Sequence, residues 1–170
     1  MLKRTTATEL QLAASIEELA DMPRNPIITG CIESVKGGFR LGQVPVLTGD
    51  GTSGTYFLRD KKEEAVAVFK PIDEEPFAPN NPRGMRAPFG SDTCRPGVKS
   101  GELTVREVIA YMLDHESFAD VPATTLAKAT HPTFLASNYS SSDQIDCGQN
   151  LNWSYSTETK QFKTSNKTRF

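Results

Sequence analysis

Three β-prone runs, residues 44–47, 55–58 and 65–70, follow one another across gaps too short for a crossover helix. Such a stretch must fold back on itself as antiparallel hairpins. The first gap is glycine-rich: Gly49, Gly51 and Gly54 stand in G-x-G-x-x-G spacing, with Asp50, Thr52 and Ser53 between them. The second gap, residues 59–64, is wholly charged and reads as a solvated turn. The third run, Val66-Ala-Val-Phe-Lys70, reads as a buried strand that ends on a lysine.

The glycine spacing alone is shared by two phosphate-binding solutions and by chance turns. A dinucleotide fold needs a helix directly after the last glycine, so that the helix N-terminus meets the pyrophosphate. Here Thr55, Tyr56, Phe57 and Leu58 read as a strand. Strand, glycine loop, strand, turn and strand is the order in which a kinase covers ATP phosphates. A P-loop is excluded because no Gly-Lys-Ser/Thr ending follows. A lysine at the end of a rigid strand is a fixed positive charge for phosphate oxygens, which makes Lys70 the candidate contact. A kinase also needs a helix whose glutamate pairs with that lysine. Glu107 is the candidate, with Glu102 as its rival. On a helical wheel Glu107 lies opposite the stripe of Val105, Val108, Ile109, Met112 and Leu113, which fits a clamped helix and a solvated glutamate equally.

The rest of the chain supplies the frame. Thr8 and Gln11 form a capping-box pattern, and Leu12, Ile16, Leu19 and Ala20 recur at helical spacing, predicting a helical extension over 1–24. Asn25 as N-cap and Pro26 in the first turn start a second helix with a stripe of Ile27, Ile28, Cys31, Ile32 and Val35. Gly37 and Gly38 are expected to stop it. Residues 71–101 are too dense in proline and glycine for regular structure and read as a long loop. Its Arg83, Arg86, Arg95 and Lys99 lie near Asp73, Glu74 and Glu75, as in a mixed surface loop. Residues 103–115 predict a helix and 124–128 a strand. The domain then spans 25–136, and the Ser/Thr/Asn/Gln-rich stretch 137–170 predicts a disordered tail. The fold class expected is α+β, a small antiparallel sheet with packed helices.

A net charge of -2 argues against a nucleic-acid binder. Cys31, Cys94 and Cys147 form no CxxC pair and both histidines, His115 and His131, stand alone, so neither a zinc site nor a catalytic histidine is expected. The N-terminal run is too polar for a signal peptide and no stretch reaches the length of a membrane span, so a cytoplasmic chain is expected, with peripheral membrane contact as an option. The sequons at Asn138, Asn152 and Asn166 would matter only in a secreted chain.

Read together, Gly51-Thr-Ser-Gly-Thr-Tyr-Phe-Leu-Arg-Asp60, Val66-Ala-Val-Phe-Lys-Pro-Ile-Asp-Glu-Glu-Pro76, Arg95-Pro-Gly-Val-Lys-Ser-Gly-Glu102 and Arg106-Glu-Val-Ile-Ala-Tyr-Met-Leu-Asp-His115 resemble the type II phosphatidylinositol 4-kinases, the plant-like gamma class above all. The resemblance covers residues 43–134. It implies the N-lobe of a protein-kinase-like fold, ATP and magnesium as cofactors, and phosphatidylinositol as substrate, with a protein substrate or a non-catalytic nucleotide- or partner-binding lobe as alternatives. By motif position it implies nucleotide contacts from Gly51, Thr52, Ser53, Gly54, Thr55 and Lys70. Animal members carry a palmitoylated cysteine cluster where this chain has only Cys94, so lipid anchoring does not carry over. The family's catalytic and magnesium-holding aspartates lie downstream of the matched region, and Asp143 and Asp146 resemble neither. The expectation is a chain truncated before its catalytic lobe, with no catalytic residue or metal ligand of its own and no turnover in isolation.

Overall fold

Hairpin geometry dominates the architecture. The structure, a computed structural model, describes residues 14–19, 24–134 and the backbone of 150–154. Six described strands form one antiparallel sheet: β1 (Ser15–Glu18), β2 (Val46–Leu47), β3 (Tyr56–Arg59), β4 (Ala65–Pro71), β5 (Thr124–Thr130) and β6 (Asn150–Ser154), in the spatial order β1-β5-β6-β4-β3-β2. Two described α-helices, α1 (Pro26–Arg40) and α2 (Leu103–Leu113), complete an α+β fold.

The β3–β4 turn is built from its own charges. Asp60 Oδ1 accepts from the N–H groups of Lys62 and Glu64 (2.7 and 3.1 Å), and Glu63 takes the left-handed φ of 67° that reverses the chain. A register shift at Leu58/Arg59 absorbs the residue left over. Along β4, Phe69 is fully buried while its neighbour Lys70 emerges on the opposite face.

Helix α1 begins where the sequence indicates. Asn25 Oδ1 accepts from Ile27 N at 2.9 Å and Pro26 occupies the first turn. Its buried stripe, Ile28, Cys31, Ile32, Val35 and Phe39, packs on Ile16, Leu58, Ala67, Phe69, Ala127 and Ala129 of the sheet. Phe134 closes this core, stacked on Phe69 at 5.0 Å and edge-on to Tyr56 at 5.1 Å. Four large side chains buried at roughly 2 kcal/mol each supply on the order of 8 kcal/mol before the entropy of ordering.

That surplus explains one correction. Gly37 and Gly38 do not stop the helix, which runs on to Arg40. Two helical glycines cost about 2 kcal/mol against alanine, but a Cβ at Gly38 would sit 2.1 Å from the carbonyl oxygen of Arg59. Gly38 lets the helix lie against the strand backbone. The stop is Gly42, at φ +84°, with its N–H donating to Phe39 O and that of Gln43 donating to Gly38 O, a Schellman closure.

Two further expectations are corrected. Residues 15–18, placed in an N-terminal helix by their spacing, form edge strand β1, with Ile16 opposite Ala129 and only 1% exposed. The open edge of β5 offers backbone partners and a core seat for Ile16, and this long-range pairing overrides the local period; the helix's other predicted positions before residue 14 lie outside the described residues. Residues 150–154, placed in a disordered tail, form β6 between β4 and β5, where both edges pair with the backbone. Asp143, Asp146 and Cys147, to which the sequence assigns no site role, lie outside the described residues. No described helix is long and apolar enough to cross a membrane.

Candidate functional site

The loop between β2 and β3 is closed at its neck by Thr48 N donating to Thr55 O at 2.8 Å. Gly51, at φ +94°, makes the turn at its tip. A Cβ added at Gly49 or Gly51 would meet nothing within 4 Å, so neither glycine is there to allow close packing. The third glycine differs. Gly54 is buried, its N–H donates to Glu74 O at 2.9 Å, and a Cβ there would lie 1.9 Å from Glu74 Oε2. Its amide is therefore committed within the fold, although its motif position implies a nucleotide contact.

Beneath the loop lies a cleft of about 530 Å³ lined by Gly51, Thr52, Ser53, Thr55, Lys70 and Glu107, and also by Glu75, Cys94, Arg95 and Arg106. That volume lies within the ordinary range for small-molecule sites, about 300–1,000 Å³. Gly54 is the one sequence-predicted site residue that does not line it. Lys70 Nζ donates to Glu107 Oε1 at 2.6 Å across the cleft. Glu102 does not compete: it accepts from Lys99 N (3.2 Å) and Arg106 Nη2 (3.1 Å), and the first of these, then the second, lowers its carboxyl below the usual range.

The Lys70–Glu107 pair is about a third exposed on both sides. An ion pair this wet is worth about 1 kcal/mol or less. It fixes the lysine's direction more than it stabilises the fold.

Helix α2 reaches Lys70 by turning a different face inward from the one its apolar pattern suggests. Thr104 and Val108 are buried, with Glu107 and Tyr111 half-buried along the same side. Of the predicted stripe only Val108 is buried; Val105, Ile109, Met112 and Leu113 are exposed, from 44% to 76%. The inward face is chosen by polar partners: Glu107 meets Lys70, and Tyr111 Oη accepts from Asn25 Nδ2 at 2.7 Å.

The same partners hide in residues 71–101, where the sequence suggests a mixed surface loop. Glu74, Glu75 and Asn81 are 1%, 3% and 0% exposed, which corrects that reading. A short 3₁₀ turn, Ile72–Glu74, carries the buried Glu74. The Tyr56 hydroxyl donates to Glu74 (2.9 and 3.2 Å), and burial, then the Glu74 carboxylate, push that hydroxyl's pKa up. Glu75 Oε2 accepts from the N–H groups of Gly101 (2.6 Å) and Leu103 (3.2 Å), and Oε1 from the N–H and hydroxyl of Thr104 (both 2.7 Å). Its carboxylate thus caps the positive end of α2. Arg83 Nη2 donates to Thr48 O and, at 3.4 Å, to Asp50 O, holding the glycine loop from outside. Sequence reasoning missed Glu74, Glu75 and Asn81; the one available signal was Pro71 and Pro76 bracketing the acidic run, which shortens its chance to fray into solvent.

Chemically, one cation fixed by a carboxylate, the lining arginines Arg95 and Arg106 (the latter also paired with Glu102) and a rim of hydroxyls and tip backbone suit a ligand with several negative charges. Among the described residues no three His, Cys, Asp or Glu side chains gather as a metal site, so none is assigned a magnesium ligand.

Over 120 residues, 70% of this chain, the sequence is 41% identical to phosphatidylinositol 4-kinase gamma 6 of Arabidopsis thaliana. It is 43% identical to phosphatidylinositol 4-kinase gamma 7 of the same plant over 64% of the chain, and 40% identical to phosphatidylinositol 4-kinase gamma 4 of Oryza sativa subsp. japonica over 63%. These stretches make up 19%, 17% and 21% of those proteins, so the chain spans about a fifth of the length of the curated relatives it matches. No family model and no solved structure matches the chain.

Proposed function

We propose, from the premise that this chain is a relative of the plant phosphatidylinositol 4-kinase gamma proteins, that its cleft binds ATP and serves phosphoryl transfer to phosphatidylinositol. In this reading the sheet with α2 is the nucleotide-gripping lobe of a kinase-like domain. Lys70 meets the α- and β-phosphates while Glu107 holds its ammonium in line. The hydroxyls of Thr52, Ser53 and Thr55 and the backbone of Gly51 face the phosphates from above. Gly54 serves packing instead. A residue that orients the accepting hydroxyl is not assigned among the described residues, so the reading for this chain is nucleotide binding, and the transfer is a proposal for the longer proteins of its kind.

One observation carries the proposal: Lys70 and Glu107, far apart in sequence and on different elements, meet at 2.6 Å in a cleft roofed by the glycine loop. A dinucleotide-type site would require residues 55–60 to open a helix, and they form β3 and its turn. The test is a calorimetric titration of the chain with ATP. Saturable binding is expected, and Lys70→Ala should weaken it by about tenfold or more, a loss of about 1.4 kcal/mol, while its melting temperature stays near that of the parent because the ion pair adds so little to stability. Equal affinity in the parent and Lys70→Ala, or no binding in the parent, would overturn the reading.

A further inference from the structure

We infer that residues 71–101 form a clasp in which Asn81 and Glu75 lock the glycine loop and helix α2 to each other, making these two buried side chains positioning residues for the cleft. The observations form a continuous chain of contacts. Asn81 Nδ2 donates to Thr52 O of the glycine loop at 2.7 Å and, sharing its second hydrogen, to Glu74 O and Glu75 O at 3.1 Å each. Asn81 Oδ1 accepts from the N–H groups of Arg83 (2.9 Å) and Met85 (3.2 Å), which fixes which way the amide points. Arg86 Nε donates to the carbonyl of Asn81 at 3.0 Å, holding its backbone as well. From Glu75 the contacts pass to the first turn of α2 through three of the four bonds of its carboxylate, the fourth holding Gly101 just before it. One turn further along that helix stands Glu107, holding Lys70.

The two sides of the cleft need such a tie. At the loop tip an added Cβ on Gly49 or Gly51 would meet nothing within 4 Å, and glycine is the residue that loses most freedom on ordering. The exposed stripe of α2 offers little apolar packing to hold the helix in place. A buried amide whose hydrogen-bonding groups are all engaged, next to a buried carboxylate on the helix N-terminus, replaces that packing with directed bonds that fail together when one is cut. Perturbing either end should therefore be felt at the other, as reciprocal coupling requires. The consequence for nucleotide rests on the ATP reading above; the clasp itself does not.

Hydrogen–deuterium exchange of the parent chain, Glu75→Gln and Asn81→Ala separates the two. Glu75→Gln, the milder change, keeps the side chain's shape and weakens the grip on α2; because Glu75 also lines the cleft, losing its charge would by itself favour ATP, the opposite of the effect the clasp predicts. It should raise exchange in the glycine loop, residues 48–55, by about threefold or more, as well as at 101–104. Asn81→Ala should raise exchange at 101–107 as well as at 48–55, while the amides of α1 keep the parent's protection. If Glu75→Gln loosens 101–104 and leaves 48–55 at the parent's rate, the clasp is wrong; this variant decides even if Asn81→Ala fails to fold. A titration adds the consequence: Glu75→Gln should weaken ATP by about threefold or more and leave adenosine, which lacks phosphates, unchanged. A parent chain that binds no ATP removes the nucleotide reading and leaves the exchange result as the judge of the clasp.

Discussion

Gly54→Ala puts the division of labour among the three loop glycines to a quantitative test. The added Cβ would lie 1.9 Å from Glu74 Oε2, 2.7 Å from its Cβ and 2.9 Å from its Cδ. Glu74 cannot swing into solvent, because it is 1% exposed and held by the Tyr56 hydroxyl. Overpacking of this kind costs about 1–3 kcal/mol, and pushing the carboxylate off a buried hydroxyl adds about 1–3 kcal/mol. A total of about 3 kcal/mol corresponds to a fall in melting temperature of roughly 10 °C for a chain of this size. Gly49→Ala, where nothing lies within 4 Å, is the matched control and should stay within about 0.5 kcal/mol of the parent. Thermal melts followed by circular dichroism and urea titrations give both numbers. A double-mutant cycle with Glu74→Ala should return a coupling of about 2 kcal/mol, because the clash needs both side chains. If Gly54→Ala melts with the parent and only its ATP affinity falls, Gly54 is there for phosphate approach and the packing argument is refuted.

Two further outcomes are expected. Burial pushes the Cys31 thiol up to about 12 from an ordinary 9.0, so above pH 9 the unfolded chain releases a proton that the folded chain keeps. That contribution is fully present below pH 9 and is lost as pH rises toward 12, by at most about 1.4 kcal/mol per pH unit; urea melts at several pH values above 8 should show a shallower decline in Cys31→Ala, and identical slopes would contradict the burial. Asn25→Ala loses both the cap bond to Ile27 N and the donor to Tyr111 Oη and should cost about 1–2 kcal/mol. Asn25→Asp keeps the cap and should recover about half; two variants as stable as the parent would show that the α1–α2 bridge holds nothing.

How far this could be read from the residues depended on the range of the interaction. The hairpins of β2, β3 and β4 are local: turn residues, alternation and a terminal lysine lie within one another's reach, and the Asn25–Pro26 start is a matter of one turn. The helix end was misread because a glycine serves chain reversal and close packing alike, and only Arg59, far along the chain, shows which role Gly38 has. β1 and β6 depend on edges that other strands leave open, which no local period reports. Glu74, Glu75 and Asn81 look like surface residues because their partners, Tyr56, Thr104 and Thr52, lie on three separate elements. The apolar pattern of α2 gave a helix but the wrong inward face, since a period of 3.6 fixes a stripe's existence and leaves its partner unstated.

These misreadings share a cause that bears on function. The apolar core and the cleft lie on opposite faces of the sheet. On one face α1 buries large apolar side chains worth several times the roughly 1 kcal/mol of the Lys70–Glu107 pair. On the other, polar bonds from the clasp hold the cleft, and its cation is tied to a single carboxylate about a third exposed. A pair that weak holds Lys70 in direction while leaving its remaining donors to an anion, whereas a deeply buried pair would have to be broken at a cost of several kcal/mol before any ligand could bind. The wetness of the pair, which makes it negligible as a stabiliser, is thus what would let it serve as a binding group in the proposed ATP site.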